Sequence, residues 1–250
     1  MIKAAIDKII DLSGIHQITI HGDEYVKEDV SRIIKSEDYA PKPIKVSSLL
    51  GLVDYTRTMF QEDFHGGGPP AFVIYNHASV GLVGPIQKKN LNNRFIYATA
   101  DLVADDFKFG TWHSQEAMII NLLTKFVPDE DTKNLISRIA SIEHVSSHLS
   151  EDDGQSQVVE IKQGLRLKGQ EKMVNPVTLR PWRTFRDINQ PASEFVVRLD
   201  SKRGRDGDTQ VALFEADGAQ WKYQAMAYID EYLTLQMEGS FIKIKPLVYG

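Results

Sequence analysis

The sequence predicts an α+β fold, helix-rich over residues 1–150 with a small sheet and β-rich over residues 151–250 with one long helix. Three observations carry that prediction. Apolar residues recur at helical spacing in several blocks before residue 150, short β-branched and aromatic runs bounded by turn residues dominate after it, and a single amphipathic stretch from Ala219 to Met237 sits among those runs.

The elements follow in order. Residues 3–12 and 26–35 have helical periodicity, the second through Val26, Val30, Ile33 and Ile34, and Gln17–Ile20 between them reads as a short strand closed by Gly22. Tyr39 to Pro43 is a linker, because two prolines fix φ and restrict their neighbours. Ser47 and Ser48 offer N-caps to a helix carrying Leu49, Leu52, Val53 and Phe60, which runs until the breaker His65-Gly66-Gly67-Gly68-Pro69-Pro70. Strands are expected at Ala71–Tyr75, Ser79–Val83 and Arg94–Ala100, with a polar turn from Pro85 to Asn93. A helical block from Ser114 to Ile142 is interrupted at Pro128.

Glu151-Asp152-Asp153-Gly154 marks a loop, compatible both with a domain boundary at 150/151 and with strand pairing across it. Beyond it, Val158–Lys162, Gly164–Leu167, Val177–Leu179, Phe195–Leu199, Val211–Phe214 and Phe241–Val248 read as strands. The helix from Ala219 takes Asp217 as its N-cap, buries a stripe of Trp221, Ala225, Ile229 and Tyr232, and ends at Gly239.

The 250 residues suffice for a core without covalent staples. The absence of cysteine removes disulfides, thiolate metal sites and a cysteine nucleophile. The N-terminus interleaves charges with apolar residues, unlike a signal peptide, and the apolar run Ala71–Ile86 is too broken to span a bilayer, so a cytoplasmic, membrane-free protein is expected. A net charge of -5 argues against nonspecific binding of nucleic acid. That charge is unevenly spread. Lys162 to Arg205 holds eleven Lys and Arg against four Asp and Glu, a balance of +7, whereas Asp206 to Glu238 holds seven acids and only Lys222, a balance of -6. Such a bipolar chain suits self-association as well as ligand binding.

The candidate for chemistry is Arg180-Pro181-Trp182-Arg183-Thr184-Phe185-Arg186. Guanidinium groups fork onto phosphate and aromatic faces stack bases, so Arg180, Trp182, Arg183 and Arg186 form a candidate nucleotide platform. The competing reading makes Trp182 and Phe185 core residues whose neighbouring arginines snorkel or pair with Asp187 and Glu194. Arg203 and Arg205, in the loop Lys202–Asp208, could add phosphate contacts or simply solubilise a hairpin tip. His65–Gly68 lacks the Lys-Ser/Thr of a Walker loop and reads as a connector. His144-x-x-x-His148 has metal-ligand spacing if helical, but no glutamate stands where a zincin requires one. Asp101, Asp105, Asp106 and His113 could gather a hard cation, yet Phe107 and Phe109 alternate as on a strand edge. No cofactor, metal site or catalytic residue is assigned.

Four ordered blocks carry a resemblance: Asp153–Val158, Asn175–Arg186, Gln190–Phe195 and Ala212–Lys222. Together they resemble the YfdQ-like proteins of phages and prophages over roughly residues 150–237, with Trp182 and Ala219 standing where that pattern has Tyr and Gly. The resemblance implies a phage or prophage origin and a bacterial cytoplasm, but no known reaction. The expectation is therefore a non-catalytic phage accessory protein that self-associates as a homo-oligomer. It would bind a host protein partner or an anionic, nucleotide-like ligand and counteract host defence signalling. A metal-dependent nucleotide or nucleic-acid hydrolase built on Asp101, Asp105, His113, His144 and His148 is the alternative, and a virion or assembly component is the third reading.

Overall fold

A computed structural model describes residues 4–6, 8, 17–20, 23–26, 31–32, 42–60, 70–87, 93–103, 107–144, 157–163, 166–173, 175–200, 209–238 and 247–248. The expected α+β class is what it shows. Two compact units divide at Lys42/Pro43.

In the first unit Ala4–Ile6 are helical, as the periodicity predicts. Strands β1 (Gln17–Ile20), β2 (Asp23–Val26) and β3 (Ser31–Arg32) form an antiparallel three-stranded sheet. The helix expected over 26–35 is thereby corrected. Val26 pairs with Ser31, and Tyr25 with Arg32. A helical spacing of apolar residues gives way here because β-branched residues fit a pleated ladder, and pairing supplies the backbone partners that a short isolated helix cannot.

Among the described residues the second unit contains three sheets. The largest has the order β15-β5-β6-β7-β4, from β4 (Ile44–Val46), β5 (Ala71–Asn76), β6 (Ser79–Gln87), β7 (Asn93–Asp101) and β15 (Leu247–Val248). Its centre is antiparallel and its two outer strands are parallel to their neighbours. The turn expected from Pro85 begins later, because β6 continues through Pro85 to Gln87. The register against β7 shifts between Val83 and Ile86, and such a bulge is where a strand tolerates a residue without an N–H. A Cβ at Gly81 in the same strand would lie 2.8 Å from the ring of the exposed Tyr75, which would have to swing aside for any larger residue.

Helix α1 (Leu49–Met59) begins at Ser48, whose Oγ accepts the Gly51 N–H at 3.1 Å, and it ends at Met59, before the glycine run. Helix α4 (Trp221–Met237) packs alongside it against the sheet. Leu49, Leu52 and Val53 of α1 meet Phe72, Ile74 and Leu82 of the sheet, with Ile229 and Leu233 of α4, in one core. Phe185, fully buried, enters that core from outside any helix or strand and so anchors the arginine-rich segment. Full burial of a phenylalanine contributes about 1.5–3 kcal/mol.

The second sheet has the order β12-β13-β14-β8, from β8 (His113–Ser114), β12 (Val177–Leu179), β13 (Ser193–Asp200) and β14 (Gln210–Glu215), all antiparallel. Along β13, Ser193, Phe195, Val197 and Leu199 alternate inward. Phe195, Val197 and Leu199 pack on α2 (Gln115–Lys125) and α3 (Glu130–Ser141) through Met118, Leu122, Leu135 and Ile139. Pro128 separates the two helices as expected, and Asp129 caps α3 by accepting the Thr132 N–H at 2.9 Å. The third sheet orders β9 (Ile142–His144), β10 (Gln157–Gln163) and β11 (Arg166–Met173) as β11-β10-β9.

Strand pairs join residues on either side of Glu151: β10 with β9, β14 with β8 and β15 with β5. One cap differs from expectation. Asp217 accepts the Ala219 N–H at 3.1 Å in the turn before α4, while the helix starts after Gln220. Gly218 and Ala219 both have positive φ, 60° and 65°, so the chain winds left-handed just ahead of the first helical turn. Among the described residues, no helix is long and apolar enough to cross a membrane.

Candidate functional site

The arginine-rich segment is fixed from both ends. Residues 180–182 run antiparallel to 125–127: the Val127 N–H donates to the Arg180 carbonyl at 2.8 Å and the Trp182 N–H to the Lys125 carbonyl at 2.9 Å. The Trp182 indole Nε1–H adds a bond to the Phe126 carbonyl at 3.1 Å. On the far side Gln190, 4% exposed, saturates the turn. Its Oε1 accepts the Arg183 and Thr184 N–H groups at 3.1 and 3.2 Å, and its Nε2 donates to the carbonyls of Phe185 and Ile188 at 3.0 and 3.3 Å. One side chain thus satisfies four backbone groups that no sheet or helix serves.

The four candidate residues go to three different places. Arg180 Nη1 lies 2.5 Å from Asp129 Oδ2, tying the segment to the start of α3. Burial pushes the Asp129 pKa up, but bonds from Thr132 and Arg180 outweigh it and leave the group below the ordinary aspartate value. Arg183 is 6% exposed. Its Nη1 is 2.5 Å from Glu215 Oε1, its Nη2 donates to Ser193 Oγ, and its guanidinium carbon stands 3.8 Å from the Trp221 ring centroid. Arg183 therefore works as an internal strut between β13, β14 and α4. The pairing of arginines with Asp187 and Glu194, the other sequence reading, is replaced by Asp129 and Glu215, acids 51 and 32 positions away.

Arg186 and Trp182 stay together. The exposed Arg186 guanidinium carbon lies 4.6 Å over the Trp182 ring, and among the described residues it has no ion-pair partner. Both line a cleft of about 400 Å³ with Ser47, Ser48, Leu102, Val103, Thr184 and Asp187. Asp187 occupies the N-terminus of α1, where its carboxylate accepts the N–H groups of Leu49 and Leu50 at 3.1 and 3.2 Å. Thr184 Oγ1 donates to the His77 carbonyl at 2.6 Å. Asp187 and Thr184 are thus engaged with backbone groups, whereas Arg186 has no ion-pair partner among the described residues. Sequence reasoning missed Ser47, Ser48, Leu102 and Val103 as cleft residues. The Ser47-Ser48 capping signal was visible, but nothing local linked it to residue 186.

Arg203 and Arg205 lie outside the described residues, as do Asp105, Asp106, His148 and His65–Gly68. Asp101, at the end of β7, accepts hydrogen bonds from Ser79 Oγ at 2.7 Å and Thr99 Oγ1 at 3.1 Å. His113 belongs to a different sheet, on β8, where burial pushes its pKa down. The backbone at His144 is β-strand, paired with Glu160, so the helical spacing needed for a His144/His148 ligand pair does not begin there. Phe107 and Phe109 lie outside any strand: Phe107 is buried, and Phe109 stacks on Phe195 with centroids 5.0 Å apart. Among the described residues no three His, Asp or Glu side chains stand together as a metal-binding group.

Comparison with protein-family models, with curated proteins and with solved structures finds no match.

Proposed function

We propose that the protein is a non-catalytic, self-associating phage accessory protein that binds an anionic, planar ligand of nucleotide type at the Trp182–Arg186 cleft and so removes a host defence signal. The observation that carries the ligand site is the Arg186 guanidinium stacked 4.6 Å over Trp182 at a cleft of about 400 Å³. Stacking on an indole holds the guanidinium plane while leaving its N–H edge free for a bidentate bond to phosphate. A base can then extend the stack over the guanidinium rather than over Trp182, whose face Arg186 already covers. Among the described residues the one carboxylate lining the cleft, Asp187, is held by two helix amides and is poorly placed to act as a general base. The phage setting rests on the resemblance of the four sequence blocks.

Titration calorimetry with a cyclic dinucleotide, ATP, adenosine and inorganic phosphate tests the ligand site. Wild type should bind the nucleotides more tightly than either adenosine or phosphate alone. Arg186→Glu should weaken nucleotide binding roughly 10- to 100-fold, the loss expected for hydrogen bonds to a charged group. No binding of any nucleotide, or equal binding by wild type and Arg186→Glu, would overturn it.

A further inference from the structure

Among the described residues, the charged side chains lining the Trp182–Arg186 cleft are one cation and one anion, Arg186 and Asp187, adjacent in the chain. Asp187 is bound through both of its oxygens: Oδ2 accepts the Leu49 N–H at 3.1 Å and Oδ1 the Leu50 N–H at 3.2 Å. A carboxylate of the protein thus sits where a helix N-terminus would otherwise draw a phosphate. The next two amides of α1 are taken as well, Gly51 by Ser48 Oγ at 3.1 Å and Leu52 by the Ser48 carbonyl at 3.3 Å. Other donors of the wall are committed too. The Leu102 N–H donates to the Ala78 carbonyl at 2.9 Å, the Trp182 indole to Phe126, and Thr184 Oγ1 to His77. An anion entering the cleft therefore meets one guanidinium, a closed helix end and a fixed negative charge.

That arrangement distinguishes kinds of phosphate. A phosphodiester carries a single negative charge shared by its non-bridging oxygens, which matches a single guanidinium fork. A terminal phosphate carries about -1.5 to -2 at neutral pH and presents a further acceptor oxygen. Arg186 can neutralise one unit of that charge. The remainder lies beside the Asp187 carboxylate, and the amides that could have offset it already serve Asp187 and Ser48. Like charges brought together in this way reject a ligand by repulsion and not by shape. We infer that Asp187 makes the cleft selective for nucleotides whose phosphate is a diester, disfavouring those that end in a free phosphate group. Asp187 acts here as a specificity determinant, while Arg186 and Trp182 supply the binding. The inference rests on the ligand site proposed above and adds which phosphate the ligand carries.

Titration calorimetry with adenosine monophosphate and its phosphate methyl ester tests it, because the two differ by one methyl group and about one charge at a pH of about 7.5. In about 0.05 M salt, wild type should bind the ester at least about fivefold more tightly. Asp187→Asn keeps an oxygen for one helix N–H but removes the charge, so the monophosphate should gain more than the ester and the preference should fall below about twofold. Near-ultraviolet circular dichroism checks the fold of the variant. Should it not fold, wild type in about 1 M salt takes its place, since screening at a Debye length of about 3 Å should shrink the same preference. Cyclic AMP and the dinucleoside monophosphate ApA, both diesters, are titrated alongside. Tighter binding of either than of the monophosphate supports the inference, cyclic AMP pointing to a free cyclic nucleotide and ApA to a strand. A wild type that binds the monophosphate as tightly as the ester overturns the inference and leaves the ligand site standing. So does a preference that neither Asp187→Asn nor salt reduces. Binding of none of the four overturns both.

Discussion

Arg183 and Trp221 face each other with the guanidinium carbon 3.8 Å from the indole centroid, and the same guanidinium closes an ion pair with Glu215 at 2.5 Å. The charge is taken out of water and repaid by a carboxylate, a hydroxyl and an aromatic face. Truncating one member of such a pair normally costs about 3–5 kcal/mol when both are buried. Glu215 retains 36% exposure and can rehydrate, so Arg183→Ala should lower unfolding stability by the smaller amount of about 2–3 kcal/mol. Arg186→Ala, at an exposed position, should change it by less than about 0.5 kcal/mol. Urea denaturation of the two variants checks the contrast, and similar values would show that Arg183 is not a strut.

Gln190 lends the arginine-rich segment its shape, and its replacement should be felt there. Gln190→Leu keeps the volume but strips partners from the N–H groups of Arg183 and Thr184 and from two carbonyls. Each buried group left unsatisfied costs about 1–3 kcal/mol, moderated by whatever water can enter. A loss of about 2–4 kcal/mol is expected, together with faster hydrogen exchange at the amides of Arg183 and Thr184. Exchange as slow as in wild type would mean that the backbone, not Gln190, holds the turn.

Asp129 links α3 to the segment through Arg180, and its depressed pKa fixes the sign of a pH effect. A carboxylate whose pKa is lower folded than unfolded stabilises the fold above its unfolded value. That contribution is lost as pH falls through the folded value. Asp129→Asn keeps an oxygen to accept the Thr132 N–H but removes the charge that faces Arg180. Wild type should therefore be more stable than the variant at pH 7, and the gap should shrink once pH drops below about 3.8, the ordinary aspartate value. Chemical denaturation in steps from pH 7 to pH 2.5 reads this directly, and a gap that widens in acid would contradict the assigned direction.

Local patterns revealed most of the elements because their causes are local. Ser48 and Asp129 cap α1 and α3 with bonds spanning three residues. The alternation of Phe195, Val197 and Leu199 marks an inward face whatever the sheet's partner. The segment 26–35 escaped because the spacing of Val26, Val30, Ile33 and Ile34 satisfies a helix and says nothing of the β1–β2–β3 ladder. The candidate site was legible as a segment and illegible as a set. Nothing near Arg183 distinguishes it from Arg186, since its burial depends on Ser193, Glu215 and Trp221, ten to thirty-eight residues onward. Likewise, Asp187 reads locally as a partner for its arginine neighbours, but α1, some 137 residues earlier, claims it.

Ala219 is the remaining point of tension between sequence and backbone. Its φ of 65° places a Cβ in the left-handed region, directly after Gly218 at 60°. For a residue with a side chain that conformation costs roughly 1–2 kcal/mol, whereas glycine adopts it freely. The turn is held regardless, by the Asp217 carboxylate on the Ala219 N–H and by the Lys222 N–H on the Ala219 carbonyl at 3.1 Å, so the strain is carried into the folded state. Ala219→Gly removes the strain but enlarges the unfolded ensemble, which returns part of the gain. The net effect should be a stabilisation of about 0.5–1 kcal/mol. For a chain of this length that is a rise of about 1–4 °C in melting temperature by calorimetry. A fall in stability would mean that the Ala219 methyl contributes more through contacts than its backbone conformation costs.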